Sequence, residues 1–284
     1  MAASSSPTVR RRQLATELKR LRLTAKMTIE QVAEHLEWSP GKISKIENAR
    51  VSVLPRDVRH LLDAYGVGDG PEREALITLA RQSRERGWWQ QYGEAIPEWF
   101  QTYVGLEAAA STISAYQAEY VPGLLQTEAY ARAIIRLGNA SCEEDVVRRA
   151  EARLARQDIL NRENPPRLWA VVDEAALRRS IGGRTVMREQ VRHLIDMADH
   201  PAVTLQILPF HVGSHPAMGG PFTILRYAEP DLRDVVYIEQ LTSAIYLDKP
   251  VDVDSYLEVM EQLCLQAEPA AETQKLLTEI LNSL

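Results

Sequence analysis

Apolar residues recur at three- and four-residue spacing from Gln13 onward. Leu14, Leu18, Leu21 and Ala25 fall on one face, with Lys19, Arg20, Arg22 and Lys26 on the others, the pattern of an amphipathic helix. Residues 1–10 are small and mostly polar ahead of Arg10, Arg11 and Arg12, and read as a disordered arm. Such an arm serves equally as a solubilising tail or as a phosphate-touching extension. Thr28, with Gln31 three residues on, predicts the capping box of a second helix, and Ile29, Val32, Ala33 and Leu36 form its buried stripe. After a break at Glu37 and Trp38, Ser39-Pro40 announces a third helix. Serine caps orphan N–H groups, and proline loses no hydrogen bond at the first helical position. Ile43 and Ile46 then face inward, leaving Gly41, Lys42, Ser44 and Lys45 outward. Two more helices are expected, over Pro55–Tyr65 with Val58, Leu61 and Leu62 inside, and from Pro71 to Arg86 around Leu76 and Ile77. Five short helices predict an all-α bundle, with a boundary near Ser83–Trp88.

The pattern then becomes mixed. Trp88, Trp89, Tyr92, Trp99, Phe100 and Tyr103 concentrate aromatic surface at the start of the second part, as a docking core or a ligand pocket would. Helices are expected over Leu106–Tyr116, Leu124–Leu137, Val146–Leu160, Val186–Ala198, Val253–Gln266 and Ala271–Leu281, with a helical turn at Ala175–Arg179. Strands are expected at Leu168–Val172, Val203–Leu208, Phe222–Tyr227, Val235–Glu239 and Ala244–Leu247. Helices followed by several strands on short loops predict an α+β domain with an antiparallel sheet. The organisation is therefore residues 1–82 and residues 83–284, which suits a chain of 284 residues.

Charge sharpens this division. The net charge is -6, which by itself argues against nucleic acid. Residues 1–70, however, carry 12 Lys and Arg against 8 Asp and Glu, and the remainder carries 21 against 31. A basic small module ahead of an acidic larger one fits local DNA binding. No apolar run approaches the roughly 18 residues of a membrane span, and no secretory signal is visible, so a cytoplasmic location is expected. Cys142 and Cys264 have no metal-ligand spacing and read as reduced thiols.

Residues 28–47 hold the predicted chemistry. A capped helix whose N-terminal end is small and cationic can enter the major groove. Lysine there can bond guanine edges or phosphate, and backbone N–H groups at both helix starts can hold phosphate oxygens. The candidate DNA-contacting set is Thr28, Gln31, Ser39, Pro40, Gly41, Lys42, Ser44 and Lys45. The string MTIEQVAEHLEWSPGKISKIEN over Met27–Asn48 resembles the helix-turn-helix of the lambda- and 434-repressor-like, or XRE-type, regulators. The resemblance implies a lambda-repressor-like all-α fold, base reading by exposed positions of the third helix, and a structural role for Glu47. It departs from the family at Glu37 and Ala49, where glycine is usual, and at the bulky Trp38, which packs under the bundle or flanks DNA.

Residues 83–268 carry a second resemblance. Gly87-Trp88-Trp89, Pro97-x-Trp99-Phe100, Glu119-Tyr120-Val121-Pro122-Gly123-Leu124-Leu125-Gln126-Thr127, Arg153-x-x-Arg156-Gln157 and Asp173-Glu174-Ala175-Ala176-Leu177-Arg178-Arg179 are similar to the C-terminal domain of Scr1-type, antitoxin-like regulators of actinobacteria. This implies a transcriptional regulator, often encoded beside a small, toxin-like partner protein. Trp88, Trp89, Tyr120, Pro122, Gly123, Gln126, Glu174 and Glu239 form the candidate partner or ligand site, although Pro122-Gly123 reads equally as a helix-start turn. Arg153, Arg156, Asp173, Glu174 and Glu239 suit internal salt bridges or a polar pocket.

An enzyme or metal sensor would have to use His211 and His215 with nearby carboxylates, but no catalytic or phosphate-loop motif accompanies them. We expect neither enzyme activity, cofactor nor metal. The expected partner is an operator in double-stranded DNA, bound by a homodimer on half-sites about 34 Å apart. The alternative is an antitoxin-like module that neutralises its partner and controls its own operon.

Overall fold

The computed structural model of the protein describes residues 6–138, 141–230 and 232–284. Two compact units are present, one ending at Gln90 and the other starting at Gln91.

The first unit is all-α: α1 (Pro7–Thr24), α2 (Ile29–His35), α3 (Pro40–Glu47), α4 (Pro55–Ala64) and α5 (Pro71–Gln82). Leu14, Leu18, Val32, Ile43, Val58, Leu61 and Ile77 meet in its core. The expected arm is shorter than the sequence reading. Ser6 caps α1 by accepting a hydrogen bond from the Val9 N–H, Pro7 occupies the first turn, and Val9 is buried. The signal is the same Ser-Pro pair that marks α3. The first five residues of the arm lie outside the described residues.

Arg22 also departs from expectation. It is buried, and donates through Nε and Nη2 to the two Glu47 carboxylate oxygens at 2.6 and 2.8 Å. Its Nη1 donates to the Met27 carbonyl at 2.8 Å. One guanidinium thus ties α1, the turn before α2, and α3.

Helices α1 to α4 end alike. Lys26 (φ 55°), Glu37 (φ 56°), Ala49 (φ 54°) and Gly66 (φ 73°) are left-handed. In each case the residue's N–H and that of its successor return to the last helical turn, as from Glu37 to Glu34 and from Trp38 to Ala33. This is the Schellman cap, which favours glycine. A side chain in that conformation costs roughly 1–2 kcal/mol, part of which glycine's freer unfolded chain offsets. We therefore expect Glu37→Gly or Ala49→Gly to stabilise the first unit by about 0.5–1 kcal/mol. A urea midpoint that does not rise would contradict this.

The second unit opens with α6 (Glu98–Glu107) and continues through β1 (Thr112–Gln117), α7 (Glu128–Leu137), α8 (Glu143–Gln157), β2 (Arg167–Asp173), α9 (Glu174–Arg178) and α10 (Arg184–Ala198). Then come β3 (Val203–Leu208), β4 (Phe222–Arg226), β5 (Val235–Glu239), β6 (Ala244–Leu247), α11 (Pro250–Gln266) and α12 (Ala270–Ser283). The six strands form one sheet in the order β3-β2-β1-β4-β5-β6. The α+β class holds, but the sheet is mixed. β1, β4, β5 and β6 pair antiparallel, whereas β1, β2 and β3 pair parallel. Parallel neighbours need crossovers, and the helix pairs α7–α8 and α9–α10 supply them.

The expected helix over Leu106–Tyr116 is corrected. α6 ends at Glu107, and the Ser111 N–H donates to the Arg226 carbonyl where β1 begins. Tyr116, Val171, Phe222, Ile224 and Val236 pack against Val253, Met260 and Leu263 of α11 on one face of the sheet.

Candidate functional site

The tip of α3 is built by local chemistry. Ser39 Oγ accepts from the Lys42 N–H at 3.2 Å, and Pro40 fills the first helical position. Ile43, Ile46 and Glu47 are buried, so the opposite face, with Ser39, Pro40, Gly41 and Lys45, is exposed. A Cβ added at Gly41 would meet nothing within 4 Å.

The outward groups differ in freedom. Lys42 Nζ lies 3.2 Å from the centre of the Trp38 ring and 3.2 Å from an Asp57 carboxylate oxygen. Its charge is therefore partly spent on joining α3 to α4. Trp38 is half-buried and packs against the bundle core, near His60. Ser44 supplies its carbonyl to the Asn48 side-chain amide at 2.8 Å. On α2, Thr28 Oγ1 accepts from the Gln31 N–H at 3.2 Å while Gln31 Oε1 accepts from the Thr28 N–H at 2.8 Å. The capping box is complete and both residues are exposed.

A second site lies inside the second unit, a cavity of about 810 Å³. It gathers Tyr120, Gly123, Gln126 and Glu239 from the candidate partner or ligand set. It also recruits Arg153 and Arg156 from α8 and the aromatic residues Trp99, Phe100 and Tyr103 from α6. The aromatic wall is preassembled: Phe100 stacks on Tyr103 at 5.2 Å, and Tyr103 meets Tyr237 at 4.2 Å. Beneath it, Arg156 donates through Nε and Nη2 to Glu107 at 2.9 and 2.8 Å, with its guanidinium 4.9 Å from the Phe100 ring centre. Burial works against the Arg156 charge, but the Glu107 carboxylate outweighs it and holds the guanidinium pKa above its usual value. Tyr237 donates its hydroxyl proton to Glu239 at 2.9 Å. Burial, reinforced by that carboxylate, pushes the Tyr237 phenol well above its ordinary pKa. Desolvation does the same to Tyr120, up to about 12.

Other expected residues lie elsewhere. Trp88 and Trp89 meet edge to face at 6.1 Å in the first unit, and Trp89 fills the space beside Gly87. Glu174 is a structural brace, accepting from Arg178 Nε at 2.9 Å and from the Phe210 N–H at 2.9 Å. Pro122 precedes the turn Gly123–Leu125. His215 Nε2 lies 3.3 Å from the Tyr116 hydroxyl, whereas His211 lies 3.9 Å from Glu268. The two imidazoles take separate partners, and no group of three or more potential metal ligands occurs among the described residues. Glu107 and Gln117 were not anticipated. Glu107 ends an apolar helix, and only its complement, Arg156, carried a signal.

No helix among the described residues is long and apolar enough to cross a membrane. Neither a curated protein nor a solved structure matches the chain. Residues 13–76 match a helix-turn-helix domain, a DNA-binding rather than a catalytic module, and this gives the chain a general DNA-binding, transcription-regulatory function. Residues 100–279 match a domain of unknown function (DUF5753). That second match covers more than half of the chain, and the protein belongs to the family carrying this domain, here behind a helix-turn-helix module.

Proposed function

We propose that the protein is a sequence-specific, dimeric transcriptional regulator that reads the major groove with α3. The observation that carries this is the uncluttered tip of that helix, where Pro40, Gly41 and Lys45 are exposed around the Ser39 cap. Lys45 is the base or phosphate contact at the groove. Thr28 and Gln31, at the start of α2, hold a phosphate, with the Gln31 amide nitrogen as the side-chain donor. The operator is a pseudo-palindrome read by two copies with half-sites about 34 Å apart. The setting is the cytoplasm of an actinobacterium, in keeping with the Scr1-type resemblance of the second domain, taken as residues 83–284 behind a DNA-binding domain of residues 1–82.

Genome-wide mapping of bound DNA, followed by titration of the recovered operator, tests this reading. Lys45→Ala should weaken operator binding more than Lys42→Ala, because Asp57 and Trp38 already engage Lys42. If Lys45 contacts a base, discrimination at one position falls by about 1–3 kcal/mol. If it contacts phosphate, affinity falls alike for all sequences and the salt slope shrinks. Unchanged binding by both variants would remove α3 from the groove. The antitoxin-like reading predicts instead a small neighbouring-gene product that co-purifies tightly, with no native promoter bound.

A further inference from the structure

The cavity of the second unit contains a cation that no carboxylate among the described residues pairs directly. Arg149 is paired with Asp145 at 2.8 Å and Arg156 with Glu107 at 2.8 Å. Arg153, between them on α8, has no carboxylate within ion-pair distance among the described residues. Its Nη1 donates to the neutral Gln126 Oε1 at 2.9 Å. Gln126 is itself fixed, donating to the Val121 carbonyl at 2.6 Å, so Arg153 is held in place by a neutral partner, and the Glu239 carboxylate opposes its desolvation only from beyond ion-pair distance. Burial, and next the neighbouring Arg156 charge, lower the Arg153 pKa to about 10. At neutral pH it therefore remains a cation in an unfavourable setting. The same cavity is lined by Gln117, whose Oε1 is buried and has no hydrogen-bond donor. The rings of Trp99, Phe100 and Tyr103 give it an aromatic wall, with Phe100 stacked on Tyr103 and Trp99 edge-on to Phe100.

We infer that this cavity is a binding site for a small aromatic carboxylate bearing an N–H or O–H donor, with the carboxylate on Arg153, the ring against the Trp99–Phe100–Tyr103 wall, and the donor toward Gln117. A carboxylate is the preferred anion because a guanidinium presents a planar fork that matches its two oxygens. The volume of about 810 Å³ falls in the range that holds a compact organic molecule. Glu119 and Glu239 also line the cavity, which disfavours multiply charged anions such as nucleotides and leaves room for a single negative charge at Arg153. The site is independent of the DNA-reading helix and stands whether or not α3 enters a groove.

The test uses the full chain and two uncharged-versus-charged probes of one shape, indoleacetate and indoleacetamide, in isothermal titration calorimetry. A charge-assisted hydrogen bond in such a site predicts that the carboxylate binds at least about tenfold more tightly than the amide. Arg153→Gln should bring indoleacetate down to the affinity of the amide and leave the amide unchanged. Equal affinity of the two probes for the unaltered protein, or no binding of indoleacetate, overturns the inference without any variant needing to fold. In a folded Arg153→Gln protein, undiminished carboxylate binding overturns it too.

Discussion

Replacing Glu47 with alanine is expected to cost the first unit about 3–5 kcal/mol, because it leaves a buried guanidinium uncompensated. The two side chains are 9% and 3% exposed, so water cannot take over the lost interaction. Arg22 meets Glu47 with two charge-assisted bonds and the Met27 carbonyl with a third. The Glu47 bonds raise the Arg22 pKa above its ordinary value; without them the guanidinium still does not deprotonate at neutral pH, because arginine is intrinsically too basic. The loss is large against the roughly 5–15 kcal/mol total stability of a domain. Operator binding should disappear with the folded helix-turn-helix. The control is the double variant Arg22→Met with Glu47→Leu, which replaces the pair by apolar groups and should recover most of the stability. Urea unfolding followed by circular dichroism reads both. A single variant within 1 kcal/mol of the parent, on the scale of an exposed pair, would show that the pair contributes no more than a surface salt bridge.

This pair also shows where sequence reading succeeds and where it stops. The helices of the first unit are legible because each has an apolar stripe of helical period, sharpened at α2 and α3 by the caps Thr28 with Gln31 and Ser39 with Pro40 and at α4 and α5 by a proline in the first turn. Arg22 was not legible. On a helical wheel it falls beside the stripe, and nothing local says that a carboxylate 25 residues later will share its burial. Ser6-Pro7 could have been read as a helix start, but polar neighbours made the arm look unstructured. In the second unit Leu106–Tyr116 was read as one helix because Ala108, Ala109 and Ala110 prolong the helical composition past its true end at Glu107. A short apolar run does not declare its own period. Strand direction was equally hidden. The strand Thr112–Gln117, whose residues up to Tyr116 fall in the expected helix, pairs with β2 in parallel and β4 in antiparallel, so the mixed sheet could not be assembled without it.

The sites follow the same logic. The α3 tip is a local object, and its exposed residues could be named from spacing. The cavity is a tertiary object assembled from α6, β1, α8 and β5. Tyr120, Gly123, Gln126 and Glu239 were recognisable as polar or turn residues near aromatics, while Glu174, equally polar, turned out to brace α9 and the chain at Phe210. Arg153 and Arg156 sit one helical turn apart with opposite fates: one is neutralised by Glu107, the other faces the cavity.

That contrast makes Glu107 the residue whose loss should most disturb the second unit. Glu107→Ala strands Arg156, 8% exposed, against the Phe100 and Tyr103 rings and beside Arg153, whose own pKa the Arg156 charge already lowers. Two neighbouring guanidiniums would then share one buried region, with the Glu239 carboxylate, already bonded to Tyr237, acting on both but paired directly with neither. The expected cost is again about 3–5 kcal/mol, and more than Glu107→Gln, which keeps a hydrogen-bond acceptor while removing the charge. Glu107→Leu combined with Arg156→Met should restore most of the loss by filling the space with apolar atoms. The measurement is urea unfolding of the full chain followed by tryptophan fluorescence in a background where Trp38, Trp88 and Trp89 of the first unit are replaced by Phe, so that Trp99 and Trp169 of the second unit report. If Glu107→Ala and Glu107→Gln unfold at the parent midpoint, Arg156 is compensated by another group, and the contrast between a paired Arg156 and an Arg153 without a direct carboxylate partner among the described residues falls with it.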